Sequence, residues 1–122
     1  MLGVLRAMRE IIYKVVRTAE WNSAREAGVF KGSTDDERDG FIHWSRAVQL
    51  RTTLERHFAG EDGLLLVSLH VDGFGPELKW EPSRGGENFP HLYGTLKLTS
   101  VHSVTPIHRD KDGRSILPSD PR

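Results

Sequence analysis

The stretch Leu64-Leu-Leu-Val-Ser-Leu-His-Val71 decides the fold of this chain. Almost every position in it is apolar, which is typical of a strand that is buried on both faces of a sheet. We therefore predict that it lies at the sheet centre, with the rest of the chain supplying its neighbours. The 122 residues fit one domain, because folding at this size removes roughly two-thirds of the unfolded surface from water.

Shorter β-type segments flank this strand in the sequence. They are Ile11-Ile-Tyr-Lys-Val-Val16, Glu77-Leu-Lys-Trp-Glu81, Thr95-Leu-Lys-Leu98 and Val101-His-Ser-Val-Thr105. The first is rich in β-branched and aromatic residues, which predicts a mostly buried strand. The second alternates, so Leu78 and Trp80 are expected on one face and the charged side chains on the other. Pro106 marks an edge or an exit from the sheet.

Two helices are predicted between these strands. The first is capped by Thr18 and ends at Gly28. The second has Ser45 as its N-cap and Gly60 at its end, and its apolar residues recur at helical spacing. These residues are Ala47, Leu50, Leu54 and Phe58. The acidic run at residues 33–37 is predicted to be a solvated loop.

Together these elements predict a single α+β domain over residues 8–109, with a bent, mostly antiparallel sheet and two helices. Residues 1–7 are interpreted as an N-terminal extension, and Met8 is an alternative start. Residues 110–122 are charged and contain two prolines, which indicates a loosely held C-terminal tail.

Composition narrows the classes of function. Lys plus Arg and Asp plus Glu both number 17, so the overall positive charge typical of a nucleic-acid binder is missing, and no nucleic-acid partner is predicted. The chain has no cysteine, which excludes disulfides and thiolate chemistry. No stretch approaches the ~20 apolar residues of a membrane span. We expect a cytoplasmic protein without a membrane partner.

The candidate chemistry is concentrated in Asp39-Gly-Phe-Ile-His-Trp-Ser45. If this stretch is extended, His43 and Ser45 share one face while Ile42 and Trp44 share the other. His43 has an imidazole suited to proton transfer or ligand contact. A structural histidine bonded to backbone is the competing interpretation for His43, and a plain helix cap is the competing one for Ser45.

A second group of candidates lies further along the chain. His91 and Tyr93 belong to Phe89-Pro-His-Leu-Tyr-Gly94, where Pro90 and Gly94 restrict the backbone. Glu81 precedes a glycine-rich loop and is a candidate general base, or else a solvent-facing strand residue. His43, His91 and Glu81 are suitable metal-ligand types, but their spacing places them on no single element, so no metal site is predicted.

Several of these motifs, in this order, resemble one known family. They are Ile-Tyr-Lys near the start, a first helix with a tryptophan, Asp-Gly-Phe-Ile-His-Trp-Ser, Gln49, Leu-Lys-Trp-Glu and Phe-Pro-His-Leu-Tyr-Gly. The chain looks like the bacterial Domain of Unknown Function 952 family over most of its length, from about Ile11 to Ile107. The resemblance implies a small α+β domain related in fold to the ADP-ribosyltransferases, with no established activity.

If that fold relation extends to function, His43 resembles the strand histidine that contacts the nicotinamide-side ribose of NAD, and Ser45 takes the place of the usual Thr or Ser. The chain departs from that pattern at Trp44, where a glycine is common, and in its central strand, which offers no tyrosine. Three hypotheses follow. The first is an ADP-ribosyltransferase-like enzyme that binds NAD or another nucleotide, with His43 and Glu81 catalytic and Ser45, Trp44, His91 and Tyr93 binding the ligand. The second is a non-catalytic small-molecule binding module, and the third is an interaction module.

Overall fold

The computed structural model describes residues 10–118. The predicted extension at residues 1–7 and the alternative start at Met8 lie outside this range. The strands are β1 (Ile11–Arg17), β2 (Val29–Phe30), β3 (Ile42–His43), β4 (Ser45–Arg46), β5 (Leu64–His70), β6 (Leu78–Pro82), β7 (Asn88–Leu92), β8 (Leu96–Lys97), β9 (Ser103–Arg109) and β10 (Ser115–Ile116). The α-helices are α1 (Thr18–Ala27), α2 (Thr34–Asp39) and α3 (Leu50–His57).

The larger sheet has five strands in the order β10-β9-β5-β1-β4. The apolar stretch that begins at Leu64 forms its middle strand, as predicted, with β1 on one side and β9 on the other. All strand pairs among residues 10–118 are antiparallel. The predicted α+β class with a curled antiparallel sheet is therefore confirmed.

The sheet curls because one extended segment belongs to two sheets. Ile42 and His43 pair with β7 in a three-stranded sheet of order β3-β7-β6, whereas the next strand pairs with β1 in the larger sheet. Trp44 lies at the switch, where its backbone N–H donates to the Pro90 carbonyl at 2.9 Å. Its buried indole belongs to the core between the elements. The two sheets diverge from this residue, and the gap between them forms a cleft.

Two apolar clusters lie on opposite faces of β1. One contains Ile12 and Val16 with α1 and the inner face of the smaller sheet. The other contains Tyr13 and Val15 and is covered by Leu50 and Leu54 of α3. This arrangement follows from the strand period of two, which sends alternate β1 side chains to opposite layers.

The structure changes the predicted helices in two places. Residues 34–39, most of which belong to the run predicted as a solvated loop, form α2, because the Asp36 carboxylate accepts the backbone N–H of Ser33 at 2.8 Å and closes the first turn. Ser45 is a strand residue and not the cap of α3. The turn before α3 is closed instead by Gln49, whose side-chain oxygen accepts the Arg46 N–H at 2.9 Å. The predicted end of α1 at Gly28 is correct.

The end of the described chain returns to the larger sheet. β10 lies inside the segment that was interpreted as a tail, and it pairs with Arg109 and His108 of β9. Arg51 of α3 donates to the Ser115 carbonyl at 2.7 Å, which attaches this short strand to the helix layer. Among residues 10–118 no helix has the length and apolar character needed to cross a bilayer.

Candidate functional site

A cavity of about 420 Å³ occupies the cleft where the two sheets diverge. Its walls come from the middle of β1, from α2, from the segment His43 to Ser45, from the end of α3 and from the hairpin that joins β6 to β7. The cavity lies beside Trp44, the residue at which the chain changes sheets, and Trp44 is one of the residues that line it.

Asp36 anchors one wall of the cavity. Its side chain is about 99% buried, and its two oxygens accept from Lys14 Nζ at 2.9 Å, His43 Nδ1 at 2.6 Å and the backbone N–H groups of His43 and Ser33. Burial by itself raises the pKa of this carboxyl group, but the hydrogen bond from His43 and the charge of Lys14 hold the pKa far below its usual range. Asp36 is therefore ionised and ties β1, α2 and β3 together.

His43 is held by carboxylates on both sides of its ring. Nδ1 lies 2.6 Å from Asp36, and Nε2 lies 3.1 Å from Asp39 Oδ2. A doubly protonated imidazole can donate to both carboxylates, whereas a neutral ring can donate to only one. Lys14 also donates to the His43 carbonyl at 3.0 Å. These contacts fix the ring that the sequence nominated, and they use both of its nitrogens.

The outer face of the smaller sheet collects the other predicted residues. His43 and His91 are direct cross-strand partners, and Glu81 lies on the same face of neighbouring β6. Glu81 Oε1 accepts from His91 Nδ1 and from the Tyr93 hydroxyl, both at 2.8 Å. The bond from His91, followed by that from Tyr93, lowers the pKa of Glu81, and the same contact raises the pKa of Tyr93.

Phe41 packs over this polar face. Its ring stacks on His91 with centroids 4.1 Å apart and also contacts His43 and Tyr93. His91 is 3% exposed, and its Nε2 has no hydrogen-bond partner among the described residues. A buried polar atom without a partner costs about 1–3 kcal/mol. Glu81 thus orients the His91 ring through Nδ1, while Nε2 of His91 has no partner among the described residues.

Two arginines on the cavity wall differ from the other charged groups there. The carboxylates of Asp35, Asp36 and Asp39 are matched by Lys14, Arg38 or His43. Arg56 and Arg84 also line the cavity, and within residues 10–118 neither forms an ion pair with a carboxylate. The cavity therefore has a surplus of positive charge at these two side chains.

Arg84 has a defined position although it lies on a hairpin turn. Its guanidinium lies 4.8 Å from the centroid of the Phe89 ring, and its terminal nitrogens are 3.5 Å from Thr53 Oγ1. Thr53 Oγ1 lies 3.1 Å from Ser45 Oγ and donates to the Gln49 carbonyl. An arginine and two hydroxyl groups thus meet where α3 faces the smaller sheet.

The structure brings together most of the predicted residues, with different roles for some. His43, Trp44, Ser45 and His91 line the cavity. Glu81 and Tyr93 do not line the cavity. They lie behind His91, where Glu81 accepts hydrogen bonds from both His91 and Tyr93. Among the described residues no group of three or more His, Asp or Glu side chains is arranged to hold a metal ion.

Several contributors were absent from the predicted set, among them Asp36, Phe41 and Arg84. Asp36 had a usable signal, because Ser33-x-x-Asp36 is a capping pattern that predicts a helix start. Phe41 belongs to the nominated stretch, and its alternation with His43 places it on the same side. Arg84 had no signal, because its position depends on how the hairpin closes over Phe89.

Comparisons with known proteins agree with the fold. A family model described as "Protein of unknown function (DUF952)" matches residues 15–104. The crystal structure of protein CC0527 from Caulobacter crescentus is 41% identical, with a TM-score of 0.83 over 88% of this chain and 94% of that chain. The solution NMR structure of the same protein gives a TM-score of 0.78 over 85% of this chain and 90% of that chain. A search of curated proteins gave no match.

The fold and the cavity define a small α+β domain with a polar cleft between two antiparallel sheets. The length of the family match and the identity to CC0527 identify the chain more narrowly. It belongs to the DUF952 family, as its motifs predicted. Membership of this family does not by itself imply an activity, and the evidence for function lies in the site.

Proposed function

We propose that the cavity binds a small anionic ligand, and that this ligand is a phosphorylated compound such as a nucleotide. The observation that carries this proposal is the pair Arg56 and Arg84, two cavity arginines without a carboxylate partner among the described residues. A guanidinium stays charged at every pH that the folded protein meets, and its planar fork matches phosphate and carboxylate oxygens. An anion would supply the missing counter-charge.

The surroundings of Arg84 support this class of ligand. The hydroxyl groups of Ser45 and Thr53 lie beside the guanidinium and make this end of the cavity polar. Phe89 holds the flat guanidinium from the other side. The volume of about 420 Å³ falls within the range of roughly 300–1,000 Å³ found for small-molecule sites.

NAD and ADP-ribose are the first nucleotides to test, because the resemblance to the DUF952 family implies a fold related to the ADP-ribosyltransferases. Within this proposal His43 has a positioning role, since Asp36 and Asp39 engage both ring nitrogens. His91 keeps the ligand-binding role that the sequence suggested, because it lies on the cavity wall, whereas Glu81, which was expected to be catalytic, supports His91 from behind. Trp44 contributes as a packed core residue at the sheet switch. The proposal concerns binding and names no reaction.

Isothermal titration with inorganic phosphate, NAD and ADP-ribose tests the proposal. Arg84→Gln removes the charge and keeps polarity, and it should weaken binding about 10- to 100-fold, since a hydrogen bond to a charged group is worth about 1.5–3 kcal/mol. Arg25→Gln is the matched control, because Arg25 is exposed on α1 and does not line the cavity.

The thermal unfolding midpoint provides a second readout. A ligand at 100 times its Kd adds about 2.7 kcal/mol to the free energy of unfolding. If none of the three compounds binds, or if Arg84→Gln binds them as tightly as wild type, the proposal is wrong. The interaction-module hypothesis predicts the first of these results.

A further inference from the structure

We propose that His70 and His102 form a second site, outside the cavity, that binds one divalent transition-metal ion such as Zn²⁺, Ni²⁺ or Cu²⁺. His70 is the last residue of β5, and His102 immediately precedes β9. Both imidazoles are exposed, and neither residue lines the cavity. The site is therefore independent of the anion site proposed above.

The backbone under the two rings is fixed. The N–H of His102 donates to the Ser68 carbonyl at 2.8 Å, two residues before His70. Ser68 and Ser103 are cross-strand partners, and their hydroxyl oxygens lie 2.5 Å apart. His70 is in turn paired with Ile11 of β1. The two rings thus lie where β5 ends and β9 is about to begin, and the backbone of both residues is hydrogen-bonded to neighbouring strands.

The spacing of the two ring nitrogens suits a shared metal ion. Nε2 of His70 lies 3.1 Å from Nδ1 of His102. A metal 2.0–2.1 Å from each nitrogen would subtend an N–metal–N angle of about 98° at that spacing. This value lies between the right angle of square-planar or octahedral geometry and the tetrahedral angle. Ions of this class that bind imidazole can therefore be accepted once the two rings turn so that their nitrogen lone pairs converge on the metal, and the exposure of both side chains permits that movement.

The change in protonation at this site balances without another reactant. In the metal-free pair one ring nitrogen donates its proton to the other ring. When the metal binds, the donor ring changes tautomer through solvent, its proton moving from the facing nitrogen to the other one, so the two neutral imidazoles carry their protons on Nδ1 of His70 and Nε2 of His102. Both facing nitrogens then present lone pairs to the ion.

The ligand set also limits which metals bind and how. Imidazole nitrogen suits Zn²⁺, Ni²⁺ and Cu²⁺, whereas Ca²⁺ and Mg²⁺ require oxygen ligands. No third protein ligand completes the group among residues 10–118. Water fills the remaining positions, so the ion is exchangeable and accessible, unlike the closed four-ligand site that holds a zinc finger together.

Metal titration of the untagged full chain tests this inference, with Zn²⁺ and Ni²⁺ followed by calorimetry and Cu²⁺ by electron paramagnetic resonance. We expect one ion per chain, a copper spectrum with nitrogen coordination, and no binding of Mg²⁺. His70→Ala and His102→Ala should each weaken binding at least 10-fold. His108→Ala is the matched control, since His108 is an exposed histidine of β9, and it should bind as wild type does.

The variants alter exposed side chains, so their unfolding midpoints should stay close to that of wild type and loss of binding is not loss of fold. The inference is wrong if millimolar Zn²⁺, Ni²⁺ and Cu²⁺ leave the wild type unbound. It is equally wrong if either His70→Ala or His102→Ala retains wild-type affinity.

Discussion

Asp36→Asn is expected to destabilise the protein more than any other conservative change at the cavity. The substitution keeps the size of the side chain but removes the charge that accepts from Lys14, His43 and Ser33. Lys14 is only 10% exposed and would then be left in the interior without a counter-charge. Breaking a buried ion pair in this way costs about 3–5 kcal/mol.

Urea unfolding followed by circular dichroism measures this cost directly. In thermal unfolding, the same loss in the free energy of unfolding corresponds to a fall of roughly 10–20 °C in Tm for a domain of this size. Asp35→Asn is the matched control, because the Asp35 and Arg38 side chains are 71% and 68% exposed. An exposed pair of this kind contributes about 0–1 kcal/mol.

A double variant separates the ion pair from other effects of the substitution. Lys14→Met removes the charge that Asp36→Asn strands, so the double variant should lose less stability than the sum of the single losses. If Asp36→Asn stays within about 1 kcal/mol of wild type, or if the two changes simply add, Asp36 does not hold the three elements together as argued.

Three further outcomes are expected. The folded-state pKa of Asp36 is lowered, so the contribution of its carboxylate to the free energy of unfolding is fully present above the ordinary carboxyl pKa of about 3.9 and is lost as the pH falls below it. The stability difference between wild type and Asp36→Asn should therefore narrow between pH 5 and pH 2. A difference that widens would contradict the assignment. Trp44→Ala removes a side chain that is 2% exposed at the sheet switch and should cost about 3–5 kcal/mol in urea unfolding, and a loss below about 1 kcal/mol would show that the switch is not packed as described. Gly32→Ala places a Cβ 2.6 Å from the Cβ of Asp36, at a residue whose φ is +102°. It should therefore lower the Tm further than Gly28→Ala, because Gly28 has a φ of +81° and open space around it and carries only the left-handed cost of about 1–2 kcal/mol. Equal losses of Tm would contradict the close approach of Gly32 to Asp36.

The parts of the fold that sequence reasoning predicted have strong local patterns. β5 is nearly continuous apolar sequence, and such a run is typical of a strand in the middle of a sheet. Sequence reasoning nominated His43, His91 and Glu81 for one cleft, and the pairing of β3, β6 and β7 places them on one face. The orienting role of Glu81 needed the pairing register, which the sequence does not display.

The missed elements depend on contacts between distant residues. α2 has six mainly polar residues and no apolar period, so its stability comes from Asp36, whose partners lie on β1 and β3. Ser45 matched the preference for a helix cap, but pairing with Tyr13 holds it in a strand. The change of sheet at Trp44 likewise reflects pairing with two different strands. Propensity is a weak guide where tertiary contacts of this kind decide.

The central claim is that an anion occupies the cavity beside Arg84. Two-dimensional ¹H–¹⁵N NMR during titration with ADP-ribose tests it most directly. We predict progressive shifts of the backbone signals of Ser45, Thr53, Arg84 and Phe89, with those of His70 and His102 unchanged, and loss of the shifts in Arg84→Gln. Spectra that do not change, or shifts confined to residues away from the cavity, would contradict the claim.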